Sequence, residues 1–239
     1  MLLVENLSVR YRGNWALEKV SFAIKPGQLV GTIGPNGAGK STMVKAMLGL
    51  VPISSGVVKF CDEYLKQQLA KVAYIPQRSA IDWDYPTTVL KVVMMGRTVK
   101  TGLFQNISRQ SRELVEMALK RVEIWNLRDR PLGQLSGGQQ QRVFLARALA
   151  QEADILFFDE PFTGVDRKTE EIIFEIFQEL KNQDKTLLVI NHDLGDTLKH
   201  YDQLLLLNKE LIALGSREQV ITATNIQKAY GHNFGLSLS

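Results

Sequence analysis

The chain has 239 residues, of which 45% are hydrophobic, and carries a formal net charge of +4 at pH 7. Its length is at the upper end for a single domain, and its Lys and Arg residues are spread among acids rather than gathered in the stripe that nucleic-acid binding favours. Its longest apolar runs are far below the roughly 18 to 20 residues that span a bilayer. The first residues do not resemble a signal peptide and the only cysteine is Cys61, so we expect a cytosolic protein without an internal disulfide.

The predicted elements begin with strands over 2–11 and 20–24, and an apolar strand over 29–33 follows. The next nine residues match the phosphate-binding pattern G-x-x-x-x-G-K-[ST], and a helix is predicted from 40 to about 48. The loop glycines let backbone N–H groups surround phosphate oxygens at a helix N-terminus. These nine residues, here called the P-loop, are Gly34, Pro35, Asn36, Gly37, Ala38, Gly39, Lys40, Ser41 and Thr42. They predict a nucleoside triphosphate site in which Lys40 reaches the β- and γ-phosphates and Ser41 ligates Mg²⁺.

The middle of the chain changes from strand to helical periodicity. A strand over 72–76 precedes Gln77, and apolar residues then recur at helical spacing over 87–95 and 108–124, which predicts a helical insert. A turn at 131–133 leads to Leu135, Ser136, Gly137, Gly138 and Gln139, here called the signature segment, and to a helix predicted over 140–150. Ser136 is the candidate N-cap, and the paired glycines leave N–H groups free at the helix start, which predicts a second anion site.

The last part of the chain alternates strands and helices, which predicts a parallel α/β sheet. A short buried strand from 154 ends in Asp159 and Glu160. In a P-loop fold Asp159 is expected to hold the Mg²⁺ shell and Glu160 to polarise the attacking water. A further strand over 186–191 precedes His192, and residues 220–239 are predicted to form a short helix and a loose end.

The P-loop, the L-S-G-G-Q string and the strand ending in Asp-Glu together resemble the ATP-binding cassette (ABC) ATPases over nearly the whole chain. This resemblance implies an α/β fold of the P-loop NTPase (RecA-like) type, with a mainly parallel sheet, an N-terminal antiparallel β region and an inserted α-helical subdomain. It also implies one ABC domain over 1–239, with a core formed by 1–77 and 149–239 and a helical subdomain over 78–148.

The same resemblance implies roles for individual residues. Tyr11 is similar to the aromatic residue that stacks on adenine, although an ordinary strand tyrosine is the alternative. Gln77 is similar to the glutamine that touches Mg²⁺ and the attacking water, and His192 to the histidine that senses the γ-phosphate. In the loop 163–166 only Asp166 keeps the usual dimer-contact pattern. The family uses its signature segment to close on ATP held by a second copy, which implies a head-to-tail pair in which this role falls to Ser136, Gly137, Gly138 and Gln139.

Residues 82–86, Asp-Trp-Asp-Tyr-Pro, resemble the ATPase subunits of manganese, zinc and iron importers. We expect Trp83 and Tyr85 to be exposed and to form a docking surface for a permease. The alternative is that both pack under their own loop.

The predicted function is therefore an ATPase subunit, using ATP and Mg²⁺, that powers manganese or zinc uptake through a separate membrane permease. The resemblance implies an extracytoplasmic solute-binding protein in the complex and a position at the cytoplasmic face of the membrane, with no nucleic-acid partner. An iron-chelate or siderophore importer is the alternative, and a non-transport ABC ATPase is a further one. Because His192, His200, His232 and Cys61 are dispersed in the sequence, we expect other subunits to handle the transported metal.

Overall fold

The computed structural model describes residues 1–101, 107–191 and 194–231. This part of the chain contains an antiparallel sheet, a mainly parallel sheet and a group of helices between two strands of the parallel sheet. The predicted fold class is therefore confirmed.

The antiparallel sheet is formed by β1 (Leu2–Tyr11), β2 (Asn14–Ile24), β4 (Ser55–Phe60) and β5 (Glu63–Tyr64), in the order β2-β1-β4-β5. Arg12 and Gly13 both have positive φ and form the two-residue turn between β1 and β2. Tyr11 and Asn14, the residues on either side of this turn, are already paired, so β2 begins six residues before the strand predicted at 20–24.

The second sheet is formed by β3 (Leu29–Ile33), β6 (Val72–Ile75), β7 (Ile155–Asp159), β8 (Thr186–Ile190), β9 (Gln203–Asn208) and β10 (Glu210–Gly215). Its order is β10-β9-β3-β8-β7-β6, and all neighbours are parallel except β9 and β10. The strands β3, β7 and β8 are wholly buried. Thr32 lies opposite Ile190, and Ile190 lies opposite Asp159, so these three strands end in line at one edge of the sheet.

The helices are α1 (Lys40–Met47), α2 (Val89–Met95), α3 (Thr98–Thr101), α4 (Arg109–Arg121), α5 (Gly137–Gln151), α6 (Arg167–Asn182), α7 (Arg217–Val220) and α8 (Ala223–Tyr230). The helices α2, α4 and α5 pack on one another in the segment between β6 and β7. Their buried residues, including Val93, Leu119 and Val143, belong to the same apolar cluster as residues of the parallel sheet. The predicted subdomain boundary at 148 falls inside α5.

Most helix starts follow from capping side chains. Thr88 and Ser108 accept hydrogen bonds from the first turns of α2 and α4, so these helices begin one or two residues inside the predicted stretches. Leu48 is the C-cap of α1, as its predicted extent indicated. The predicted loose end from 232 lies outside the described residues. Within the described residues, no helix has the length and apolar character needed to span a membrane.

Candidate nucleotide-binding site

The P-loop connects β3 to α1 at the edge where β3, β8 and β7 end. Gly39 is the N-cap of α1, with φ of 95°. A Cβ atom there would lie 2.5 Å from the Ala16 carbonyl oxygen, so β2 approaches the loop too closely for any other residue. The loop encloses a pocket of about 170 Å³. The described residues that line it are Asn36, Gly37, Ala38, Gly39, Lys40, Ser41, Thr42 and Glu160.

Lys40 is buried inside the curve of this loop. Its Nζ donates hydrogen bonds to the carbonyl oxygens of Gly34, at 2.6 Å, and Pro35, at 3.0 Å. Burial lowers the pKa of Lys40, while the nearby carboxylates of Glu160 and Asp159 act in the opposite direction. The ammonium group therefore already lies among the backbone groups that would surround a phosphate.

Ser41 and Asp159 meet at the end of β7. The Ser41 hydroxyl donates to Asp159 Oδ1 at 3.0 Å, and the Tyr74 hydroxyl donates to Oδ2 at 3.4 Å. Asp159 is buried, and its burial raises its pKa, although the Ser41 hydrogen bond opposes this shift. A hydroxyl and a carboxylate side by side are hard oxygen donors of the kind that Mg²⁺ prefers. These residues therefore fit a magnesium ion bound together with a nucleotide.

Glu160 and Gln77 lie opposite each other just beyond β7 and β6. Ile75 pairs with Phe158, and two residues further on Gln77 Nε2 donates to Glu160 Oε2 at 2.8 Å. Glu160 has φ of 54°, a left-handed backbone conformation that is strained for a residue with a side chain. Its N–H donates to the Ile190 carbonyl oxygen at 3.1 Å. The carboxylate is thus held at the rim of the P-loop pocket.

The signature segment forms a second cluster with the start of α6. Ser136 caps α5 in a capping box with Gln139, so the helix begins at Gly137, three residues before the predicted start. A Cβ atom on Gly138 would lie 2.7 Å from Asp166 Oδ2 and 2.8 Å from Thr169 Oγ1, so glycine is required for this close contact. Asp166 itself caps α6, accepting from the Thr169 N–H at 2.9 Å.

The two clusters do not share the P-loop pocket within one chain. The described residues that line the P-loop pocket come from 36–42 and from Glu160, and the signature segment contributes none of them. Within the single chain, hydrogen bonds join Ser41 to Asp159 and Gln77 to Glu160 beside the P-loop, whereas Ser136, Gly138 and Asp166 are not among the described residues that line its pocket.

Two other predicted residues lie at different places. Tyr11 is 43% exposed at the end of β1, beside the turn into β2. The strand β2 also carries Ala16, whose carbonyl oxygen lies close to Gly39. His192 lies outside the described residues; the preceding Asn191 is tied to the sheet by a hydrogen bond from its N–H to the Thr32 carbonyl oxygen at 2.9 Å.

Trp83 is partly buried against the core rather than fully exposed as expected. Its ring packs edge-to-face against Phe144 of α5, with centroids 5.6 Å apart, and its Nε1 donates to the Arg78 carbonyl oxygen at 3.0 Å. The indole is held because both its apolar face and its N–H find partners in the protein. Tyr85, by contrast, is 57% exposed, as predicted.

Sequence reasoning missed three residues of the site. Tyr74, on β6, contacts Asp159, and Thr169 receives hydrogen bonds from Arg142 at 2.9 and 3.1 Å. Arg78 donates from Nε to Gln140 Oε1 at 3.1 Å. Only Arg78, directly after Gln77, had a position in the sequence that could have drawn attention to it.

Comparison with known proteins places these motifs in a family context. The ABC transporter family profile matches residues 17–163. The manganese transport system ATP-binding protein MntB of Halalkalibacterium halodurans is 48% identical over 96% of this chain and 92% of its own length. The zinc transport system ATP-binding protein TroB of Treponema pallidum is 44% identical over 98% of this chain and 88% of its own length. An ATP-binding cassette solved as a dimer in a post-hydrolysis state with ADP and Pi superposes with a TM-score of 0.80, at 27% identity over 90% of this chain and 98% of that one.

Proposed function

The chain belongs to the ABC transporter ATPases, and we propose that it is the ATP-hydrolysing subunit of an importer for manganese or zinc. The observation that carries the choice of cargo is its identity of 44 to 48%, over nearly its full length, to ATP-binding subunits named for manganese and zinc transport. Since the manganese protein is the more similar of the two, we expect manganese to be favoured. The competing cargo is an iron chelate.

The arrangement around the P-loop supports a division of labour in ATP hydrolysis. Lys40 would exchange its contacts with the Gly34 and Pro35 carbonyl oxygens for contacts with the β- and γ-phosphates, together with N–H groups of the loop. Glu160, held at 2.8 Å from Gln77 Nε2, would orient the attacking water and accept its proton. We assign the sensing of the γ-phosphate to Gln77 and His192, and stacking on adenine to Tyr11.

Ser41 and Asp159 are the residues that would hold Mg²⁺, with Gln77 nearby. When bound, the ion neutralises the negative charge of the phosphate oxygens. The burial of Asp159 supports this assignment, since a carboxylate removed from water gains from a nearby cation.

We further propose that two copies pair head to tail, each completing the other's ATP site with Ser136, Gly137, Gly138, Gln139 and Asp166. The separation of the signature segment from the P-loop pocket of the same chain supports this pairing. In this proposal residues 78–148 move as a helical subdomain against a core formed by 1–77 and 149–239. Closing and opening of the pair would drive a membrane permease, with the chain at the cytoplasmic face of the membrane and a solute-binding protein on the other side.

The test is transport by the complete system. The chain, its permease and its binding protein are reconstituted in vesicles, and ATP-dependent accumulation of Mn²⁺, Zn²⁺, a ferric chelate and an organic solute is measured, with Lys40→Ala vesicles as the background. Accumulation of Mn²⁺ or Zn²⁺ above this background is the expected result. Accumulation of the ferric chelate alone would transfer the proposal to the competing cargo, and uptake of the organic solute without any metal response would overturn it.

A further inference from the structure

Arg78 lies between the two clusters of the candidate site. It directly follows Gln77, and its Nε donates to Gln140 Oε1 in the first turn of α5 at 3.1 Å. Its Nη1 is 2.9 Å from the point where a Cβ atom on Gly137 would stand, and 3.6 Å from the corresponding point on Gly164. The guanidinium group is therefore in close contact with the start of the signature helix and near the loop that follows Glu160.

The partners of Arg78 fix its position rather than neutralise its charge. Gln140 is only 4% exposed, and its Nε2 donates to the Leu132 carbonyl oxygen at 3.4 Å, so the acceptor that Arg78 uses is itself held in place. On the other side, the Trp83 indole donates to the Arg78 carbonyl oxygen, and its ring centroid lies 5.7 Å from the guanidinium carbon. Among the residues that the structure describes, no carboxylate lies within 4.0 Å of the Arg78 nitrogens.

We propose that Arg78 is a positioning residue that transmits the state of Gln77 to the signature segment. Gln77 contacts Glu160 beside the P-loop pocket, and the next residue, Arg78, is hydrogen-bonded to the first turn of α5, whose cap is Ser136. A backbone shift at Gln77 would displace Arg78 as well, because a single planar peptide unit joins the two residues. The start of α5 then follows, and with it the face that meets the second copy. This inference rests on the proposed paired ATP site.

The test compares Arg78→Ala and Arg78→Lys in the full chain, alone and combined with Glu160→Gln. Binding of ATP to the monomer should not change, because the P-loop contacts do not involve Arg78. In the Glu160→Gln chain, Arg78→Ala should weaken ATP-driven dimerisation about tenfold, the scale set by loss of a charge-assisted hydrogen bond. In the chain that keeps Glu160, Arg78→Ala should lower kcat by about the same factor at unchanged KM. Arg78→Lys, which keeps one donor, should lie between Arg78→Ala and the parent chain.

Gln140→Met tests whether the effect passes through α5. This change preserves side-chain volume and removes the acceptor, so it should reproduce the loss of dimerisation. The double variant with Arg78→Ala should lose no more than either single variant. Arg109→Ala, in an exposed arginine of α4 that pairs with Glu113, is the matched control and should behave as the parent chain. If Arg78→Ala lowers thermal stability, Arg78→Lys and Gln140→Met carry the comparison.

The outcomes separate this inference from the function on which it rests. If the Glu160→Gln chain alone does not dimerise with ATP, the paired site is wrong. If it dimerises and Arg78→Ala has no effect, or if the effects of Arg78→Ala and Gln140→Met are additive, the role of Arg78 is refuted while the paired site stands.

Discussion

Replacing Glu160 by Gln should remove the proposed general base and preserve the fold. The amide has nearly the size and shape of the carboxylate, and its Oε1 can still accept from Gln77 Nε2, which lies 2.8 Å from the carboxylate oxygen. What is lost is the charged part of that hydrogen bond, about 1 kcal/mol. The left-handed backbone at position 160, with φ of 54°, is equally strained for both residues. The free energy of unfolding should therefore change by about 1 kcal/mol or less.

The effect on turnover should be much larger. An amide cannot accept the proton of the attacking water, and loss of a general base costs a factor of roughly 10² to 10⁴ in rate, which corresponds to about 3 to 5 kcal/mol. ATP binding should persist, because the P-loop and Lys40 are unaltered. Bound ATP that is not hydrolysed should hold the two copies together, so a dimer should accumulate.

Three measurements check this prediction: urea unfolding, phosphate release at saturating ATP, and size-exclusion chromatography with and without ATP. Glu113→Gln, at an exposed glutamate of α4, is the matched control and should leave all three unchanged. Undiminished phosphate release would refute the assignment of Glu160, whereas a chain that stays monomeric at saturating ATP would refute the paired site.

Lys40→Ala and Ser136→Arg should fail in different ways: the first should abolish equilibrium ATP binding to the monomer, while the second should leave it intact and prevent dimerisation, and equal loss of binding in both would contradict the shared site. Trp83→Ala should lower the free energy of unfolding by about 2 to 4 kcal/mol, because it removes the ring contact with Phe144 and an internal hydrogen bond. Urea unfolding measures this change, and a value below about 0.5 kcal/mol would contradict the packing. Tyr85→Ala should change unfolding by less than about 0.5 kcal/mol, as for most surface substitutions, but it should reduce ATP-dependent uptake in vesicles while sparing basal hydrolysis. Full uptake with this variant would show that Tyr85 is not part of a docking surface.

The local structure around the P-loop could be predicted because the spacing of its residues specifies the elements on either side. The P-loop pattern specifies a strand, a turn and a helix within a few residues, and the structure has β3, the loop and α1 in those places. Asp159 could be anticipated because a short apolar run that ends in acids is typical of a buried strand reaching the edge of a parallel sheet.

The contacts of single side chains could not be predicted in the same way. Trp83 lies in a polar stretch, and nothing in its neighbourhood indicates that Phe144, 61 residues later, offers a surface for its ring. The sequence around the glycines at 137 and 138 indicates only that their N–H groups are free at a helix start. The approach of Asp166 and Thr169, which also excludes a side chain at Gly138, depends on how α5 and α6 pack and is not encoded in local spacing.

The separation of the P-loop from the signature segment has a genetic consequence. In the proposed pairing, each site takes its P-loop from one chain and its signature segment from the other. A chain with a defect in one of these elements can therefore still contribute the other element to its partner's site. A chain with Lys40→Ala and a chain with Ser136→Arg, each inert alone, would assemble one intact site when they pair with each other. If the permease brings the two chains together at random, about a quarter of all sites in an equal mixture would be intact, and ATP-dependent uptake would return in part.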